Sequence, residues 1–106
     1  AARVYRERVD AVRHAVLREF PDGTRVSRPR GGFVLWVELP EQVDGIELYR
    51  QALGEGIAVT PGAIFSPVAA YRHHLRLSCG QEPVDTATVA VGRLGAIASR
   101  MAQGSG

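Results

Sequence analysis

Phe33-Val34-Leu35-Trp36-Val37-Glu38-Leu39-Pro40 and Leu75-Arg76-Leu77-Ser78-Cys79 are the two segments whose reading decides the fold. Side chains of an extended chain alternate between two faces, so the first segment puts Phe33, Leu35, Val37 and Leu39 on one side and Val34, Trp36 and Glu38 on the other. A run this apolar reads as a central strand. In the second segment Leu75 and Leu77 alternate with Arg76 and Ser78, which turns Arg76 away from the leucines. Both strands therefore carry an apolar face that other elements must cover.

Those elements are legible on either side. Tyr5, Val9, Val12, Val16 and Phe20 recur at spacings of four, three, four and four and share one face of a helix. Arg6, Glu7, Arg8, Asp10, Arg13 and Arg18 then face water. Pro21-Asp22-Gly23 stops this helix, because proline lacks an amide donor and glycine accepts the left-handed turn. Thr24 to Arg28 is a short strand with Val26 as its firm apolar residue. Asp44 followed by Glu47 has the spacing of a capping box, and Ile46, Tyr49, Ala52 and Leu53 supply the apolar face of the helix it opens. Ile57 to Val59 is a strand closed by a Pro61-Gly62 turn, where a ligand can approach backbone. Val84, Ala87, Val91, Leu94 and Ala98, behind Pro83, form a last helix that Gly92 and Gly95 each weaken by roughly 1 kcal/mol against alanine.

The order helix, strand, strand, helix, strand, strand, helix, with short connections, predicts an α+β two-layer sandwich: a small, mostly antiparallel sheet with helices packed on one face. One domain over residues 1–102, followed by a flexible tail at 103–106, accounts for the chain.

With 106 residues and 45% apolar content the chain is long enough to close a core. No run approaches the roughly 20 apolar residues of a membrane-spanning helix, and the N-terminus lacks the apolar stretch of a signal peptide. The single Cys79 excludes an intrachain disulfide and reads as a small apolar strand residue, which suits a reducing cytoplasm. A cytoplasmic location away from membranes is the expectation. The net charge of +2 is spread over well-mixed arginines and acids, the pattern of a solvated surface. Arg25, Arg28 and Arg30 form the densest basic cluster, without an aromatic platform for nucleic acid.

Few residues point to chemistry. An arginine in an otherwise apolar strand needs an anion, for which its bidentate geometry suits a carboxylate, or water, so on the residues alone Arg76 faces solvent, pairs with Glu38 on the neighbouring strand, or meets some other anion. His73 and His74 are adjacent and, on a strand, point to opposite faces, so they cannot share a metal; His14 lies far away, and no metal site is expected. Ser66 and Ser78 lack elbow glycines and Cys79 lacks an activating neighbour, so no catalytic nucleophile is assigned. Gly31-Gly32 either lets backbone approach a ligand or makes a turn or bulge before the Phe33 strand. Phe65 is either core filler or the aromatic wall of a pocket.

Taken in order, Pro29-Arg30-Gly31-Gly32-Phe33 running on to Pro40, Gly56-Ile57-Ala58-Val59-Thr60-Pro61-Gly62-Ala63-Ile64-Phe65, and Leu75-Arg76-Leu77-Ser78-Cys79-Gly80 resemble the small C-terminal domain of fold-type I pyridoxal-phosphate aminotransferases of class I/II. The wording is most similar to the aminotransferase-like half of GntR-family regulators of the MocR type; stand-alone aminotransferases are the close alternative. The resemblance covers nearly the whole chain. It implies that Arg76 grips a substrate α-carboxylate, that Gly31, Gly32 and Phe65 line the substrate site, and that the domain closes over a cofactor cleft. It also implies pyridoxal phosphate, an amino- or keto-acid ligand and a homodimer for the parent protein, with a large domain of the same polypeptide as this domain's partner.

One absence limits the claim. All thirteen basic residues are arginine, and the Schiff base that holds the cofactor needs a lysine amine. This chain alone is therefore not expected to be an enzyme or to bind the cofactor, and it is not expected to bind nucleic acid. Two rival readings remain at this level: a non-catalytic α+β interaction module working through its arginines, and an independent small-molecule binder.

Overall fold

In a computed structural model the elements run α1 (Ala2–Glu19), β1 (Arg25–Val26), β2 (Val34–Glu38), α2 (Gly45–Gly54), β3 (Thr60–Pro61), β4 (His74–Ser78) and α3 (Val84–Ala102). The structure describes residues 2–27, 34–54, 60–61, 72–78 and 84–104. The four strands form one sheet in the order β1-β2-β4-β3, every described pairing being antiparallel. This is the α+β layout that the order of segments predicts.

The core lies between the sheet and the helices. Leu35 and Val37 of β2, with Leu75 and Leu77 of β4, are buried in one cluster with Val9, Val12 and Val16 of α1, Phe20 just past its end, Leu48 and Ala52 of α2, and Val91, Leu94, Ile97 and Ala98 of α3. Residues between them in the strands, Val34, Trp36, His74 and Arg76, are only half-buried, so one face of the sheet carries the core and the other does not. No helix among the described residues is long and apolar enough to cross a membrane.

The ends of α1 and α2 follow the local chemistry of the chain. After α1, the Thr24 hydroxyl donates to the Pro21 carbonyl at 2.7 Å and Gly23 takes a φ of 94°, the left-handed conformation that glycine accepts at least cost. At the start of α2, Asp44 Oδ1 accepts from the amides of Ile46 (2.9 Å) and Glu47 (3.1 Å), two of the donors a helix N-terminus leaves without partners. The Glu47 carboxylate runs along the helix, accepting from Arg50 and Gln51. Past α3, Gln103 and Gly104 form a cap through bonds to the Ser99 and Met101 carbonyls.

Two expectations are corrected. Of the four residues predicted to form the inner face of α2, only Ala52 is buried; Ile46 and Leu53 are 44% and 47% exposed, and Gly45, Leu48 and Ala52 make the inner line. The cause is Gly45, where a β-carbon would stand 2.7 Å from the His74 carbonyl oxygen and 3.1 Å from that of Arg72. The helix must turn this bare backbone inward, which rotates Ile46 and Leu53 out. Pro61, expected in a turn with Gly62, lies instead in the ladder opposite Leu75, with Thr60 opposite Arg76. An edge strand tolerates proline because its missing amide can face away from the neighbour. Gly62 and residues 57–59 lie outside the described residues.

The two glycines of α3, alike in sequence, differ in their surroundings. A methyl group at Gly95 would overlap the backbone carbonyl of Glu19 at the end of α1, whereas one at Gly92 would meet nothing within 4 Å. Gly95 is thus a contact surface between α1 and α3, and Gly92 only lowers helix propensity. Gly95→Ala should destabilise the domain by about 1–3 kcal/mol through overpacking, and Gly92→Ala should stabilise it by up to about 1 kcal/mol. Denaturant midpoints of the two variants check this, and equal shifts of the same sign would contradict it.

Candidate functional site

The site is built from the turn that leads into β4. The Arg72 carbonyl accepts from the Gly45 amide at 2.9 Å, and the His73 carbonyl accepts from the Leu39 amide at 2.7 Å. The His73 ring, through Nδ1, lies 2.8 Å from the Val43 carbonyl, which makes Nδ1 the donor. Arg72 Nε donates to Asp44 Oδ2 at 2.8 Å. Residues 39–45 are in this way fastened to residues 72–73 by four contacts. His73 therefore belongs to a turn and has a structural partner, rather than standing on a strand beside His74.

This fastening sets the register of β4. Leu39 pairs with His73 through a backbone hydrogen bond, and the ladder continues with Glu38 opposite His74, Val37 opposite Leu75, Trp36 opposite Arg76 and Leu35 opposite Leu77. Hydrogen-bonded and non-hydrogen-bonded pairs alternate in an antiparallel ladder, so Trp36 and Arg76 form a non-hydrogen-bonded pair. The other edge of β2 agrees: the Trp36 carbonyl accepts from the Ser27 amide at 2.9 Å, and the Trp36 amide donates to the Ser27 hydroxyl at 3.0 Å. Side chains in such pairs stand closest together.

Arg76 occupies the half-buried face of the sheet between the fully buried Leu75 and the buried Leu77. Its neighbour opposite on β2 is aromatic, not acidic. Glu38, considered above as a partner, lies in register with His74 on one side and Arg25 on the other. Gly31, Gly32 and Phe65, the other candidate site residues, lie outside the described residues, as does Cys79. No group of three or more His, Cys, Asp or Glu side chains suited to a metal occurs among the described residues. A cavity of about 440 Å³ opens elsewhere, between Phe20, Pro21, Pro40, Gln42, Ser99 and Gln103. It does not include Arg76.

The Asp44 carboxyl titrates in a defined setting. Burial raises its pKa, but the hydrogen bond from Arg72, the Glu47 and Ile46 amides and the Arg72 charge outweigh burial and hold it below its usual 3.8. The asparagine variant keeps the cap and loses the charge.

This α+β sandwich, with Arg76 on an inner strand, is the fold of the small domain of aminotransferases, as comparison with known proteins shows. No family model matches the chain. It is 43% identical over 76 residues to a 2-aminoadipate transaminase of Thermus thermophilus, covering 72% of this chain and 19% of that protein. It is 42% identical over 76 residues to the uncharacterized HTH-type transcriptional regulator YjiR of Escherichia coli, covering 72% and 16%. Among solved structures, LysN, the α-aminoadipate aminotransferase of Thermus thermophilus complexed with N-(5′-phosphopyridoxyl)-L-leucine, superposes with a TM-score of 0.82 at 37% identity, over 93% of this chain and 25% of that one. The multiple substrate aminotransferase of Thermococcus profundus gives 0.83 at 28% identity, over 93% and 25%. The chain belongs to the fold-type I, pyridoxal-phosphate-dependent aminotransferase family and is one domain of that architecture, spanning less than a fifth of these two curated relatives.

The residues that fasten the turn were not legible as a unit in the sequence. Asp44 reads as a cap, but its Arg72 partner is 28 positions away and Val43 lies 30 from His73. A folded pKa below the unfolded one means that the Asp44 carboxylate contributes stability above pH 3.8, lost as pH falls through the lowered folded value. Asp44→Asn should flatten that part of the acid limb, while Asp44→Ala should also lose about 1 kcal/mol of capping near neutral pH. Chemical denaturation at several pH values checks both, and an unchanged acid limb in Asp44→Asn would contradict the assignment.

Proposed function

We propose that residues 1–102 are the small domain of a larger aminotransferase-like polypeptide, closing over its cofactor cleft and presenting Arg76 to the α-carboxylate of an amino or keto acid. The observation that carries this reading is the register of β4, which sets Arg76 on the sheet face opposite the core while its neighbours Leu75 and Leu77 anchor the strand. A guanidinium is a planar fork that matches two carboxylate oxygens, and a rigid strand holds it more accurately than a loop. Gly31, Gly32 and Phe65 are proposed to complete the wall around the ligand.

The residues present fit the substrate end of such a site and not the cofactor anchor. With thirteen arginines and no lysine, this chain has no amine to hold pyridoxal phosphate covalently; that anchor, and the phosphate cup, are assigned to the large domain. When bound, the cofactor supplies an electron sink for chemistry at the amino-acid α-carbon. This domain would bind and orient the carboxylate and help exclude water from the closed cleft.

For the parent we favour a GntR-family regulator of the MocR type, acting as a homodimer and sensing an amino acid through its aminotransferase-like half. The 42% identity to YjiR supports this. In that reading the DNA contact is made by a winged-helix segment and not by this domain. The 43% identity to the 2-aminoadipate transaminase supports a second reading, a stand-alone aminotransferase. In either parent, Arg76→Gln should weaken binding of L-leucine on the order of 10- to 100-fold while leaving isopentylamine, which lacks the carboxylate, unaffected. Calorimetric titration of the full-length protein checks this; equal losses for both ligands would place the role of Arg76 elsewhere.

A further inference from the structure

We infer that Trp36 is a positioning residue for Arg76, its indole providing the surface on which the guanidinium lies so that the edge of the fork is presented to a carboxylate. The inference rests on the carboxylate reading of Arg76 and adds to it a residue to which no role has been given above. Three observations carry it.

The first is placement. Trp36 and Arg76 are direct cross-strand partners in a non-hydrogen-bonded pair, the arrangement with the closest side chains, and both are half-buried on the face of the sheet that does not carry the core. The second is the fixing of Trp36 itself. Both its backbone groups are engaged by Ser27, the carbonyl by the Ser27 amide and the amide by the Ser27 hydroxyl, while Leu35 and Val37 on either side are fully buried. The strand cannot shift at this point without breaking these bonds or exposing the core. The third is the order of residues along that face: the register sets the aromatic residue directly opposite Arg76 and the acid, Glu38, one pair further along, opposite His74.

The chemistry makes the two contacts of Arg76 compatible. A guanidinium meets an aromatic ring through its flat face, where the delocalised cation is attracted to the ring quadrupole. It meets a carboxylate through its edge, where the N–H donors lie in the plane. Stacking on Trp36 therefore leaves the donor edge for the ligand and narrows the orientations of a long, flexible side chain before the ligand arrives, which is how preorganisation raises affinity.

The test uses the full-length parent with L-leucine and isopentylamine as probes. Trp36→Leu, which keeps an apolar side chain but removes the ring, should weaken L-leucine binding by about tenfold without changing isopentylamine binding, and Trp36→Phe should stay close to wild type. Equal losses in Trp36→Phe and Trp36→Leu, or no loss in either, would overturn the inference. Arg76→Gln separates the two claims: if Trp36→Leu has no effect while Arg76→Gln weakens L-leucine, the positioning role fails and the carboxylate reading stands. If Arg76→Gln has no effect, the carboxylate reading itself fails. A second measurement needs no ligand and no Trp36 variant. In a full-length parent whose tryptophans outside these 106 residues are replaced by phenylalanine, Trp36 is the sole remaining tryptophan, so its emission should shift in Arg76→Gln; unchanged emission in Arg76→Gln would overturn the pairing.

Discussion

The pairing of Leu75 with Val37 and of Leu77 with Leu35 determines which side of the sheet each residue of β4 occupies. A slip by one position would carry Arg76 into the core and both leucines out of it, because successive side chains of a strand face opposite ways. The register is held from two directions. Burial of the leucines opposes a slip from within the strand, and the contacts of Arg72 and His73 with residues 39–45 oppose it from the turn that precedes it. These contacts also dock the start of α2, so the cap of a helix and the aim of a strand depend on the same few atoms.

The helical layer is arranged to keep that geometry. Gly45 lets α2 lie against the carbonyls of Arg72 and His74, and Gly95 lets α3 lie against the end of α1. Both are places where a side chain would push an element away from the sheet. The result is a core filled from one side, with the opposite face carrying Arg25, Glu38, His74, Trp36 and Arg76 in cross-strand rows. Polar and aromatic residues on a rigid surface of this kind suit a domain whose sheet meets a ligand or another part of its own polypeptide.

Much of this was legible in the chain, for reasons that separate local from distant causes. Leucine-arginine-leucine alternation on β4, the proline-glycine stop after α1 and the Asp44 cap depend on neighbouring residues, and the structure shows all three. The inner face of α2 was misread because Ile46 and Leu53 outrank a glycine in hydrophobicity, while the packing is decided by the closeness of the β4 turn to Gly45. Pro61 was misread because a proline-glycine pair signals a turn locally, and its place in an edge strand depends on β4. For the candidate site, alternation was enough to turn Arg76 away from the leucines. Its pairing with Trp36 required the register, which no short stretch of sequence contains.

The measurement that tests the central claim most directly is an experimental structure of the full-length parent with an amino-acid ligand bound. The account predicts that both α-carboxylate oxygens lie about 2.7–2.9 Å from the guanidinium nitrogens of Arg76. A carboxylate held by an arginine from another part of the polypeptide, with Arg76 turned away from the ligand, would contradict it.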